Sequence, residues 1–265
     1  MYESNWHNTD LNIKPKPRLK TRRIENPLEI RTFFDQVAEN YVEFHGKADR
    51  LLSYRLSIVR RLLQSVKRGS LLEIGCGTGL HLFELTDCFE FLVGTDLSTN
   101  MIREAKKKWL QHPAKNRILL SVDAAEKLST IAESCIDAVL CIGTLEHIPD
   151  KPAVLKQLHR VLKPNGAFIC LTPNGSYFWY THLAPWLGLD TQHLSSDVFL
   201  TRMELLKLIN QNGFEKLDEG LWRFIPKGDM SLWIGHMLFI CDFIGQLIGL
   251  PHLRGGLYIK AVNKK

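Results

Sequence analysis

LLEIGCGTGL, at residues 71–80, is an apolar run that ends in an acid and then in three glycines at alternate positions. It reads as a buried parallel strand over 71–74 that turns sharply through Gly75, Gly77 and Gly79 into a helix beginning near Leu80. Glycine at such a turn allows positive φ and lets the backbone approach a ligand with no Cβ in the way. The spacing is G-x-G-x-G, not the G-x-G-x-x-G that opens over a dinucleotide pyrophosphate. With no phosphate to cradle, and with Glu73 two residues before the first glycine, the loop suits a ligand with a positively charged amino-acid end.

The rest of such a ligand finds partners further along the chain. The next apolar strand, over 90–95, ends in Asp96, about twenty residues on, where a carboxylate can accept hydrogen bonds from both ribose hydroxyls. In the following GTDLSTNM, Met101 stands where a flexible thioether can pack on adenine. A third strand over 117–122 ends in Asp123 and Ala124, a carboxylate and a backbone N–H for the adenine edge. A fourth, over 135–142, leads into GTLEHIPD. After a helical segment over 151–162, VLKPNGAFICLTPN supplies a Pro-Asn-Gly turn and a fifth strand over 167–172. S-adenosylmethionine (SAM) has the amino-acid end, the ribose and the adenine that these groups would meet.

In these motifs the chain resembles the class I SAM-dependent methyltransferases, closely over about residues 30–172 and more loosely over 193–264. The resemblance implies a Rossmann-like, doubly wound α/β fold: a seven-stranded sheet with an antiparallel last strand, helices on both faces, and the cofactor at the carboxyl ends of the early strands. It implies SAM as cofactor and S-adenosylhomocysteine as product. Motifs and resemblance together place cofactor contacts at Tyr41, Glu73, Gly75, Cys76, Gly77, Gly79, Asp96, Leu97, Met101, Asp123, Ala124 and Ile142. A narrower likeness, to the ubiquinone-biosynthesis O-methyltransferases and the group around them, rests on FFDQVAENY, LEHIPD and VLKPNG. In some quinone methyltransferases an E-x-x-E-H element holds a divalent metal. The corresponding run here is Gly143-Thr144-Leu145-Glu146-His147, without the first glutamate, so no metal is expected.

A chain of 265 residues, 45% hydrophobic, is ample for one α/β domain with additions. The expected division is a basic, disordered tail over 1–26 and a single methyltransferase domain over 27–265. Six cysteines, at 76, 88, 135, 141, 170 and 241, form no C-x-x-C pair and mostly lie in or beside apolar strands, as reduced thiols would. The amino terminus, MYESNWHNTD, has no apolar stretch for a signal peptide, which points to a cytoplasmic protein. Lys14, Lys16, Arg18, Lys20, Arg22 and Arg23 face only Glu3 and Asp10 in the first 23 residues, a net +4 out of +6 for the chain. Attraction to anionic lipid is one use for such a tail. Nucleic acid is not expected, because the tail has no aromatics interleaved with its basic residues and no N-P-P-[YF] motif follows the fourth strand.

Residues 27–66 read as a helical cap, with Phe33, Phe34, Val37, Tyr41 and Phe44 at helical spacing, ahead of a SAM-binding core over 70–172. In the resembling family this segment closes over the cofactor, which is why Tyr41 is a candidate contact. The connection over 174–199 packs Tyr177, Phe178, Trp179, Tyr180 and Trp186 into its first thirteen residues and reads as a lid or acceptor wall. A helix over 201–212 stops at Gly213 and leads into the sixth strand. Residues 230–250 form a helix that is apolar on most of its circumference, with Ser231, Gly235, Asp242, Gln246 and Gly249 in one narrow stripe. Asp242 argues against spanning a bilayer; burial as a packed helix and shallow insertion into a membrane surface are equally open.

Methyl transfer from a sulfonium is an in-line displacement to which positioning contributes most of the rate. A hydroxyl acceptor with a pKa near 10 also gains from a base. His147, just past the fourth strand, is the best-placed titratable group, with Glu146 beside it and His193 and His182 in the lid as weaker candidates. The expected function is SAM-dependent methylation of a hydrophobic or lipid-like acceptor, most simply at oxygen, with peripheral membrane contact through 230–250 and the tail. The alternatives are a methyltransferase of a small polar metabolite and a non-catalytic SAM-binding partner subunit.

Overall fold

A computed structural model describes residues 23–24, 27–41, 48–223 and 232–265. The tail expected at 1–26 lies almost wholly outside the described residues, as does Phe44. Strands β1 (Ser70–Ile74), β2 (Phe91–Asp96), β3 (Ile118–Val122), β4 (Ile136–Ile142), β5 (Leu162–Pro173), β6 (Phe214–Trp222) and β7 (Gly256–Asn263) form one seven-stranded sheet in the order β3-β2-β1-β4-β5-β7-β6. Strands β1 to β5 pair in parallel, and β7 runs antiparallel to both β5 and β6. This is the expected topology. Its strand order reverses between β1 and β4, and open sheets bind ligands in the crevice beyond such a switch point.

The central strands are predominantly apolar because both sheet faces are covered. Every residue of β4 is buried. Alternation divides the side chains: Leu72, Ile74, Val139 and Cys141 pack with Val154, Leu155 and Leu158 of helix α5 (Lys151–Val161). Leu71, Leu140 and Ile142 pack on the other face against Leu56, Val59 and Leu62 of helix α2 (Ala48–Leu63). Glu73, one residue from both Leu72 and Ile74, therefore points to the α2 side.

The helix after the glycines, α3 (Leu80–Phe83), starts where expected and is a single turn, with Thr86 Oγ1 donating to the Phe83 carbonyl at 3.2 Å beyond its end. One expected boundary shifts. Strand β5 starts at Leu162, five residues early. The Pro-Asn-Gly turn sits inside it as an irregularity, with the register shifting between Ile136 and Ala138 on β4 and with Asn165 at φ 61°. Helix α6 (Arg202–Gln211) begins at a full capping box between Thr201 and Glu204.

Candidate functional site

The glycine loop leaves β1 with Gly75, Gly77 and Gly79 all at positive φ, between 53° and 79°. Each is glycine for a different steric reason. A Cβ on Gly75 would lie 2.2 Å from Thr144 Cγ2, in the loop after β4, and one on Gly79 would meet the Phe83 ring at 2.5 Å. A Cβ on Gly77 would meet only Tyr41 Cε1, at 3.8 Å, so the loop's middle faces space roofed by the Tyr41 ring. That ring belongs to one of the residues expected to meet the cofactor, and burial pushes its phenol up to about 12. Across the crevice Gly143, at φ 63°, opens the loop after β4.

Asp96 braces this loop. One carboxylate oxygen accepts from Gly77 N–H at 2.9 Å and the other from Ser98 N–H at 2.8 Å, which leaves each a lone pair for a ribose hydroxyl. Burial raises its pKa to about 6 against the lowering effect of those two hydrogen bonds. Asp123 is engaged more fully: Thr130 donates N–H and Oγ1 to Oδ2 at 2.7 and 2.8 Å, and Ser129 Oγ reaches Oδ1 at 3.3 Å. Its carboxylate holds its own loop, so the side of Oδ1 not facing Ser129 is what it could still offer a ligand. The Cys76 thiol points into the sheet, near where a Cβ on Gly94 would lie, so Cys76 can offer a ligand only its backbone. Met101 is buried at the start of helix α4 (Thr99–Gln111), Ile142 is buried at the end of β4, and Leu97 is exposed beside Asp96.

Two charged groups, each with one buried atom that has no hydrogen-bond partner, mark the end of the crevice. Glu73 Oε2 is buried and unsatisfied, while Oε1 lies 3.4 Å from His81 Nδ1. Arg55, from α2, has a buried and unsatisfied Nε, and burial lowers its pKa. The guanidinium sits 5.5 Å from the centre of the Trp222 ring and 3.6 Å from where a Cβ on Gly143 would stand. A buried cation and a buried anion facing one crevice suit a zwitterion: the amino group of an amino acid on Glu73 and its carboxylate on Arg55. Arg55 carries no motif. Its signal in the sequence was position, since it lies on the apolar stripe of α2 with Leu52, Leu56 and Val59.

Glu146 and His147 both follow β4 but face different neighbours. Glu146 is buried, accepts from Thr172 Oγ1 at 3.1 Å, and has an oxygen 3.8 Å from the Cβ position of Gly143. Arg55 and Tyr180 both feel its charge. His147 Nδ1 is 2.7 Å from Asp197 Oδ1, and the other Asp197 oxygen accepts N–H bonds from His193 and Leu194 at 2.9 and 3.0 Å. The carboxylate fixes the tautomer: Nδ1–H donates and Nε2 is left with a lone pair. Burial alone would lower the imidazole's pKa, but the hydrogen bond to Asp197 and the nearby carboxylates raise it instead. The Phe34 and His193 rings lie 5.3 and 5.9 Å from the His147 ring. Asp197, fifty residues away in the lid, was not singled out in the sequence.

Helix α1 (Pro27–Val37) locks onto the start of α4 through another acid the sequence reading missed. Asp35 Oδ1 accepts from Ser98 Oγ at 2.6 Å and from Asn100 N–H at 2.9 Å, and Asn100 Nδ2 donates to the Asp35 carbonyl at 2.9 Å. The lid is only partly the wall expected. Residues Trp179–Leu183 form a π-helical turn, a local form frequent at functional sites. Tyr180 faces Arg55 and Glu146, whereas Tyr177 and Trp179 are buried behind it and Trp186 turns outward, 80% exposed. His182 is bonded to Thr181 on the exposed side of the lid. Among the described residues no three His, Cys, Asp or Glu side chains are grouped to hold a metal ion.

Residues 72–170 match the methyltransferase-domain family. Over 232 residues the chain is 31% identical to the ubiquinone/menaquinone biosynthesis C-methyltransferase UbiE of Syntrophotalea carbinolica, covering 78% of this chain and 93% of that one. The chain belongs to the class I SAM-dependent methyltransferases. This methyltransferase is also 24% identical over 230 residues to the ubiquinone biosynthesis O-methyltransferase of Haemophilus ducreyi, covering 81% and 94% of the two chains. Its fold is similar to the magnesium protoporphyrin IX methyltransferase of Synechocystis with bound S-adenosylhomocysteine, at a TM-score of 0.64 and 16% identity over 90% and 100% of the two chains. SAM is the cofactor of the methyltransferase and S-adenosylhomocysteine its product.

Proposed function

We propose that the enzyme transfers the methyl group of SAM to a hydroxyl oxygen of a hydrophobic, quinone-like or terpenoid-like small molecule. The observation that carries this reading is the buried Glu146 carboxylate at the Gly143 end of the crevice, faced by the aromatic Tyr180 of the lid. The cofactor lies with its amino group on Glu73, its carboxylate on Arg55, its ribose on Asp96 and its sulfonium toward Glu146. In the transfer, the acceptor oxygen attacks the methyl carbon, the S–CH3 bond breaks with its electron pair going to sulfur, and the hydroxyl proton leaves to the protein. Glu146 orients the hydroxyl, and His147 Nε2, held by Asp197, receives the proton.

The relatives favour an apolar acceptor by their names, one a C-methyltransferase and the other an O-methyltransferase of ubiquinone biosynthesis. The acceptor is met at a lipid surface, to which residues 230–250 and the basic tail lend contact. The test is a pair of variants, Glu146→Gln and His147→Gln, assayed for turnover and for SAM binding. Both are expected to lose turnover at unchanged SAM affinity. Unchanged turnover in either removes that residue from the chemistry. The carbon-13 shift of the transferred methyl group in the product then separates an ether from a methylated ring carbon, and a ring carbon would overturn transfer to oxygen.

A further inference from the structure

Helix α7 (Leu232–Ile248) is packed inside out. Its one acid, Asp242, is fully buried, with Arg254 Nη1 at 3.4 Å and Arg223 Nε at 3.9 Å from the carboxylate. Arg254 also donates to the Asp242 carbonyl and to Gln246 Oε1, at 3.3 and 3.0 Å. The polar stripe of the helix is thus its attachment to the body, and Leu238 is its fully buried apolar anchor among Tyr177, Trp179 and Ala184 of the lid. The large apolar side chains point away. Trp233 is 74% and Leu247 68% exposed, and Phe239, Ile240, Phe243, Ile244, Ile248 and Leu250 are exposed with them.

From this geometry we infer that the outer face of α7 and the neighbouring lid tip at Trp186 form a docking surface for an anionic phospholipid bilayer, through which the acceptor reaches the site. An apolar face this large is unusual on a surface that meets only water. Between residues 232 and 253 the only Asp, Glu, Lys or Arg is the buried Asp242, so the face offers a protein partner no charge to recognise. A bilayer needs none there. At the rim Arg223 lies 4.8 Å from the centre of the Phe239 ring, a cation at headgroup level, and the chain carries +6 overall. The helix lies on the surface: among the described residues no helix is long and apolar enough to cross a membrane, and β7 returns to the sheet after it.

The lid connects this face to the chemistry. Ile234 and Met237 of α7 pack against the cluster of Tyr177, Trp179, Ala184 and Leu238; the Tyr177 ring is 5.2 Å from that of Tyr180, and Tyr180 feels the charges of Glu146 and Arg55. The access route rests on the hydrophobic-acceptor reading above, whereas docking itself is measured without acceptor, so the two fail separately.

The experiment is co-sedimentation of the full-length chain with phosphatidylcholine vesicles, with and without phosphatidylglycerol. The unsubstituted chain should sediment with the anionic vesicles. A variant carrying Ile240→Asp and Leu247→Asp should partition at least about tenfold more weakly. SAM affinity should be unchanged in that variant, which shows that it is folded. Met203→Asp, an exposed apolar position on α6, is the control and should change nothing. Failure of the unsubstituted chain to bind anionic vesicles overturns the inference, as does binding that the α7 variant leaves intact. Sedimentation velocity showing a dimer that this variant dissociates would assign the face to a second copy instead.

Discussion

Arg55 is the sharpest test of how the cofactor lies. Its Nε is buried without a hydrogen bond, a cost in the free enzyme that an arriving anion would relieve. Arg55→Met keeps the apolar stem against Trp222 and removes the charge. A hydrogen-bonded contact to a charged group contributes about 1.5–3 kcal/mol, so SAM should bind about 10–150-fold more weakly. Isothermal titration against two ligands isolates the cause. SAM has the carboxylate, whereas methylthioadenosine has the same ribose and adenine but no amino-acid end, and its affinity should not change. The melting temperature of the free variant should change little, because relief of the unsatisfied Nε is offset by loss of the attraction to Glu146 and of the contact with the Trp222 ring. Equal losses for both ligands would mean that the pocket had collapsed, and an undiminished SAM affinity would place the carboxylate elsewhere; either result refutes the assignment.

Three further outcomes follow from the same geometry. The Asp96 carboxyl, raised to about 6 by burial, is charged above that pH and neutral below it. SAM affinity should therefore fall as pH drops through about 6, and an Asp96→Asn variant should bind weakly with no such pH dependence, as read by titration across pH. In Asp197→Asn, His147 loses the carboxylate that raises its pKa, so the acidic limb of the kcat/KM profile should move to lower pH while the plateau falls; an unmoved limb would show that His147 is not the titrating base. Asp35→Ala removes the carboxylate that ties α1 to Ser98 and Asn100, costing about 1–3 kcal/mol of stability by denaturant titration and speeding SAM release.

The parts of this protein that a sequence can show are those whose chemistry is local. The glycine loop and the strand before Glu146 are each set by neighbours within a few residues, Asp96 is marked by ending the next apolar strand, and the parallel core announces itself because strands covered on both faces are predominantly apolar. Arg55 was harder: one arginine among several in α2, marked only by standing on the apolar stripe. Asp197 and Asp35 act on partners fifty and more residues away, at His147 and Ser98, and no spacing rule links them. Helix α7 shows a different limit. Its periodicity exposes a polar stripe but not which side is packed, and that was decided by Arg254, beyond the helix end, drawing Asp242 inward. Trp186 was read as part of the acceptor wall for the same reason: aromatic content is visible in sequence, whereas the direction a lid residue faces depends on the helix beneath it.

The central claim is methyl transfer to an apolar acceptor at the Glu146 end of the crevice. Its most direct test incubates the full-length enzyme with methyl-radiolabelled SAM and a whole-cell lipid extract, partitions the mixture between organic and aqueous phases, and runs Glu146→Gln beside it. Label should enter the organic phase with the unsubstituted enzyme and not with the variant. Label confined to the aqueous phase, or equal organic label from both proteins, would contradict the account.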